Sequence, residues 1–68
     1  MDIIDARGLS CPEPVIMLKN AMTGGENKYV IMVDNHAAKE NTSRFGHHQG
    51  YAVSVEGKGG DYTITFTK

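Results

Sequence analysis

The chain has a single cysteine, so no internal disulfide can staple it. It has no tryptophan and two prolines, and no apolar run is longer than Tyr29 to Val33, far short of a membrane span. Neither sign of charge dominates. Seven basic and eight acidic residues leave a net charge of −1, which gives no basic field to attract nucleic acid or an anionic membrane. The opening Met-Asp-Ile-Ile-Asp has neither the basic stretch nor the apolar core of a secretory signal, and a cytoplasmic setting is expected. At 68 residues the chain is one domain, 1–68, with one thin core. Surface scaling gives a folded area near ~4,200 Å² against ~10,700 Å² unfolded. That size excludes a barrel enzyme, a doubly wound nucleotide-binding domain and any enclosed active site. The hydrophobic content of 40% is nevertheless enough for a globule.

The pattern along the chain alternates strand and helix. Ile3-Ile4, flanked by Asp2 and Asp5, reads as a short strand. Arg7-Gly8-Leu9-Ser10 is a loop in which Gly8 can take a positive φ. Val15, Leu18 and Met22, widened by Ile16 and Ala21, form a helical stripe that starts at Cys11 or Pro12 and stops at Thr23-Gly24-Gly25. Proline is tolerated in the first helical turn, where its missing N–H was unpaired anyway. Lys28 to Asp34 is apolar enough for a central strand. Asp34 or Asn35 caps a second helix running to about His48, with Ala38, Thr42, Phe45 and His48 facing inward. Tyr51 to Glu56 and Asp61 to Thr67 alternate polar and apolar residues, joined by a Gly57-Lys58-Gly59-Gly60 loop. One polar face on both strands leaves one sheet face open. The expected fold is therefore a two-layer α/β (α+β) sandwich, β-α-β-α-β-β, with both helices on one side of a four-stranded mixed sheet.

Cys11 is the residue whose chemistry the local sequence argues. It stands where a loop becomes a helix, and unpaired N–H groups with the positive end of the helix dipole favour an anion there. Pro12 and Pro14 remove two first-turn donors, leaving the amides of Glu13 and Val15. The Glu13 carboxylate raises a neighbouring thiol pKa and a folded-back Arg7 lowers it, so no strong depression is expected. What the prolines do supply is rigidity, which holds the thiol at the surface. The competing reading is a buried cysteine acting as a small hydrophobe.

The other chemistry-bearing residues are less informative. His47-His48 point about 100° apart on a helix and do not chelate together, so no metal is expected. Met17, Met22 and Met32 read as core, and Gly57 to Gly60 precedes no helix that could cradle a phosphate.

The segment Asp5-Ala6-Arg7-Gly8-Leu9-Ser10-Cys11-Pro12-Glu13-Pro14-Val15, with Lys19 behind it, closely resembles the signature of the TusA/SirA sulfur-carrier family, Asp-X-Arg-Gly-Leu-X-Cys-Pro-X-Pro plus an aliphatic residue. Val33-Asp34-Asn35, Ala38, Asn41 and Arg44-Phe45 resemble the YedF-like subgroup, which is linked with selenium metabolism. The resemblance covers essentially the whole chain. It implies a fold similar to the C-terminal domain of translation initiation factor three, with strand order 1-2-4-3. It also implies that Cys11 carries sulfur, or selenium, as a transient persulfide without another cofactor. Arg7 would support the persulfide, and Pro12 and Pro14 would position it. Separately from the resemblance, both helices of such a parallel unit start at the carboxyl edge of the sheet, so Arg7, Cys11, Glu13, Asn35 and Asn41 are expected to share one partner-binding rim there, with helix capping as the competing role of Asn35. The implied partners are a cysteine desulfurase-like donor, a sulfur-acceptor protein and a DsrE-like domain or protein, since many YedF-like chains continue into one. Two residues depart from the pattern. Thr42 stands where an aliphatic residue is usual and Gly46 where alanine is usual, so the second helix is expected to be looser. The alternative function is a regulatory or protein-interaction module that uses the Cys-Pro-X-Pro surface. RNA binding rests on fold analogy alone and is opposed by the charge.

Overall fold

A computed structural model describes residues 3–10 and 12–68. The elements are β1 (Ile3–Asp5), α1 (Glu13–Met22), β2 (Lys28–Val33), α2 (His36–His48), β3 (Ala52–Lys58) and β4 (Asp61–Thr67). They form one sheet in the order β1-β2-β4-β3, in which β1 and β2 are parallel and β4 runs antiparallel to both β2 and β3. The exposed surface is 4154 Å², close to the area that chain length dictates. No helix among the described residues is long and apolar enough to cross a membrane.

Strand periodicity sorts the side chains into two faces. Tyr29, Ile31 and Val33 of β2 stand beside Phe66, Ile64 and Tyr62 of β4 on the helix side. All but Tyr62 are buried. Leu18 and Pro14 of α1 and Ala38, Thr42 and Gly46 of α2 close over them. Two tyrosines pin the turn before β2. Glu26 donates its N–H to the Tyr29 hydroxyl at 2.7 Å, and the Tyr51 hydroxyl donates to the Glu26 carbonyl at 3.0 Å. The two rings meet edge to face with centroids 5.8 Å apart. Both phenols thus enter the core with their hydroxyls paired.

The opposite face is open, as the alternation in the last two strands requires, and carries Ser54, Glu56, Thr63, Thr65 and Thr67. Met32 also lies there, not in the core, because it alternates with the buried Ile31 and Val33. Val55 is on the helix side yet 44% exposed, in the edge strand β3. The hairpin is tighter than the glycine count implied. Gly57 and Lys58 belong to β3, and Gly59-Gly60 alone make the turn. His48 is exposed at the end of α2, and Gly46 takes the inward position instead.

Candidate functional site

The parallel β1–β2 pair ends at the same sheet edge at which the antiparallel β4 begins. Asp5, Asp34 and Asp61 therefore gather around the loop between β1 and α1. Arg7 reaches back onto Asp5 in a two-point grip, Nε to Oδ1 at 3.0 Å and Nη2 to Oδ2 at 2.9 Å. Its Nη1 lies 3.4 Å from Asp61 Oδ2, so the guanidinium straddles the end of β2 from β1 to β4. The Arg7 amide also donates to Asp5 at 3.2 Å. These hydrogen bonds and the adjacent positive charge lower the Asp5 pKa to about 2, while the carboxylates push Arg7 further above its ordinary range. One residue on, Gly8 turns with φ +80° and donates its N–H to Asp34 Oδ2 at 2.8 Å. A residue with a Cβ is strained in that left-handed conformation.

Past this clamp the chain enters α1. Cys11 lies outside the described residues. Helix α1 begins at Glu13, with Pro12 in the capping position and its carbonyl accepting from the Ile16 amide at 3.1 Å. The Glu13 amide donates to Ser10 O at 2.9 Å, so one of the two first-turn amides expected to face an anion is bonded within the turn. The Glu13 side chain is exposed, as is Pro12, whereas Pro14 is buried and anchors the turn to the core.

Helix α2 starts at the same sheet edge. Asn35, and not Asp34, caps it, accepting the Ala38 amide at 2.7 Å through Oδ1. The Asn35 Nδ2 lies 3.4 Å from Asp34 Oδ1, which ties the cap to the carboxylate that holds Gly8. Asn41 sits further along α2 and accepts from Arg44 Nη1 at 3.3 Å. Pro12, Val15, Asn41, Arg44, Phe45 and His48 line an open groove of about 420 Å³ between the two helices.

Of the residues named from the sequence, Arg7 and Asn35 lie at the sheet edge on different aspartates, Arg7 on Asp5 and Asp61 and Asn35 on Asp34. Pro12 and Asn41 share the interhelical groove, Glu13 is exposed in the first turn of α1, and Pro14 is buried. Sequence reasoning missed Asp61 as an Arg7 partner and Asp34 as the Gly8 acceptor. Strand order 1-2-4-3 was the available signal, because it sets the start of β4 beside the end of β2. Val15, Arg44, Phe45 and His48 were missed as groove residues because helical periodicity gives a helix its faces but not the position of its neighbour. Among the described residues there is no His, Cys, Asp and Glu group able to hold a metal.

The family model described as Sulfurtransferase TusA matches residues 2–68. A crystal structure of a SirA-like protein from Desulfitobacterium hafniense is similar at 32% identity with a TM-score of 0.89, covering 98% of this chain and 96% of that one. No curated protein matches the chain.

Proposed function

The chain belongs to the TusA family of sulfurtransferases, whose members pass sulfur between proteins, and from that premise we propose that Cys11 carries sulfane sulfur as a persulfide. The observation that supports this most is the lead-in to Cys11. Arg7 and Gly8 are tied to carboxylates at the ends of three strands, and a proline-capped helix begins just beyond the cysteine. Such a frame braces the chain on either side of Cys11, and thiol exchange needs access and a thiolate, not an enclosed pocket.

In the proposed step a donor of the cysteine desulfurase class offers its own persulfide. The Cys11 thiolate attacks the terminal sulfur. A new S–S bond forms at Cys11 Sγ, the donor's S–S bond breaks, and its electron pair leaves with the donor as thiolate. The sulfane sulfur moves at constant oxidation state, so no outside oxidant or reductant enters. The acceptor's thiolate, on a separate protein or a DsrE-like domain, repeats the exchange and restores Cys11. A selenium atom can travel by the same displacement. Arg7 supports the step by holding the loop, since its guanidinium is occupied by Asp5 and Asp61. Pro12 and Pro14 fix the approach to α1, and Glu13, Asn35 and Asn41 face partners around it. The relay needs Cys11 and the partner thiols kept out of stable disulfides, in keeping with the cytoplasmic setting expected from the sequence.

Intact-mass spectrometry after incubation with a cysteine desulfurase and cysteine tests the proposal. One added sulfur, roughly 32 Da, should appear, vanish on reduction and be absent in Cys11→Ser. A selenium adduct would instead add about 79 Da. An unmodified chain with several desulfurases would favour the interaction-module reading.

A further inference from the structure

The interhelical groove does not stop at the start of α1. A second depression of about 390 Å³, lined by Lys19, Met22, Thr23, Phe45 and Gln49, meets the first at Phe45. Together they make a trough along the seam of the two helices, beginning at Pro12, the residue after Cys11. Its floor is apolar, built from Val15, Met22 and Phe45. Ile16 is 49% exposed and stands one helical turn from both Pro12 and Lys19, which extends the apolar surface along the α1 bank.

The banks are cationic. Lys19 stands on α1 and Arg44 on α2, and neither has a carboxylate partner among the described residues, where the ion pairs involve Arg7 and His36. His48 adds a third nitrogen-bearing side chain on the α2 bank. Unlike the trough, the sheet edge places its Arg7 against Asp5 and Asp61. In a chain of net charge −1, positive charge without a carboxylate partner therefore flanks an apolar seam beside the proposed transfer residue.

We propose that this trough docks an acidic, apolar segment of the protein partner, seating apolar side chains between Val15 and Phe45 and carboxylates against Arg44 and Lys19. The choice of a protein partner rests on the sulfur-relay reading above. The apolar floor and cationic banks match an amphipathic acidic peptide, and complementary charge at such a rim acts mainly on association and on partner choice. The trough would set the partner's approach so that its thiol arrives at the start of α1.

The test is an NMR titration of the isotope-labelled chain with two capped tetrapeptides, Glu-Leu-Phe-Glu and Lys-Leu-Phe-Lys. The acidic peptide should shift the amides of Val15, Lys19, Arg44, Phe45 and His48, and should bind about tenfold more tightly than the basic one, a preference that salt erodes. In the Lys19→Glu/Arg44→Glu variant the preference should reverse, an outcome that an unfolded variant cannot give. Equal shifts by both peptides, no shifts, or shifts on the open sheet face would overturn the proposal. So would the same amides moving with protein concentration alone, which would assign the trough to a second copy. Likewise, tighter binding of a short oligouridine than of the acidic peptide would assign it to nucleic acid. Treatment of the wild-type chain with inorganic polysulfide tests the sulfur reading separately. Failure to add sulfur there sinks that reading, while the titration still decides the trough.

Discussion

The ring of Phe66 lies where a side chain at position 46 would have to begin: a Cβ placed on Gly46 overlaps the ring at Cε1 and Cδ1. Glycine inside a helix ordinarily costs about 1 kcal/mol relative to alanine. Here it lets α2 settle directly on the β4 aromatic, and both residues are buried. The residue that weakens α2 as an isolated helix is therefore what permits its packing on the sheet.

Gly46→Ala should accordingly destabilise the protein despite the better helix former. Overpacking of about 1–3 kcal/mol outweighs a propensity gain of about 1 kcal/mol. Urea unfolding should show a lower midpoint with an unchanged slope. In a Phe66→Leu background the alanine should be markedly better tolerated, since the two sites are in contact. A Gly46→Ala protein more stable than wild type would refute the close approach.

The Arg7 grip on Asp5 makes a pH prediction. Hydrogen bonding from Arg7 lowers the folded-state Asp5 pKa to about 2, against an ordinary 3.8. Because the folded value is depressed, any stabilisation is fully present above about pH 4 and is lost as pH falls towards 2. Carboxyl carbon NMR should place the Asp5 midpoint near its lowered value in wild type and return it towards 3.8 in Arg7→Gln. Ordinary titration in the wild type would mean that the grip does not form in solution.

The loop before Cys11 should loosen when its carboxylate acceptor is removed. Asp34 accepts the Gly8 amide at 2.8 Å, so Asp34→Ala should speed exchange of that amide and lower stability by about 1 kcal/mol. Asp61→Asn should have a smaller effect, because the 3.4 Å contact to Arg7 is longer and partly exposed. The reverse ranking would place the hinge of the loop at β4 and not after β2.

The last two strands and their faces were legible because period-2 alternation places Ile64 and Phe66 on one face and Thr63 and Thr65 on the other, whereas the strand order came from connectivity and the family resemblance. The first helix was legible from Val15, Leu18 and Met22, and its proline start was displaced by two residues from the earliest expected position. The weak stripe of α2 was harder to read. Thr42 counts as polar in a pattern, yet it is buried with its hydroxyl donating to Ala38 O at 2.7 Å, so it fills a core position without an unpaired group. Met32 misled because methionine carries no facial preference, and only the register of β2 assigns it to the open face. In the candidate site, Cys11 and its prolines came from local sequence. The Arg7–Asp61 contact joins residues 54 apart in the chain, and no local pattern encodes it.

The most direct measurement is cyanolysis of the sulfur-loaded chain. Cyanide attacks the terminal sulfur of a persulfide, breaks the S–S bond and releases thiocyanate with return of the thiolate. We expect about one thiocyanate per wild-type chain after desulfurase loading, with the added mass lost, and none from Cys11→Ser. Thiocyanate released equally by the serine variant, or an adduct that survives cyanide, would contradict the assignment of sulfane sulfur to Cys11.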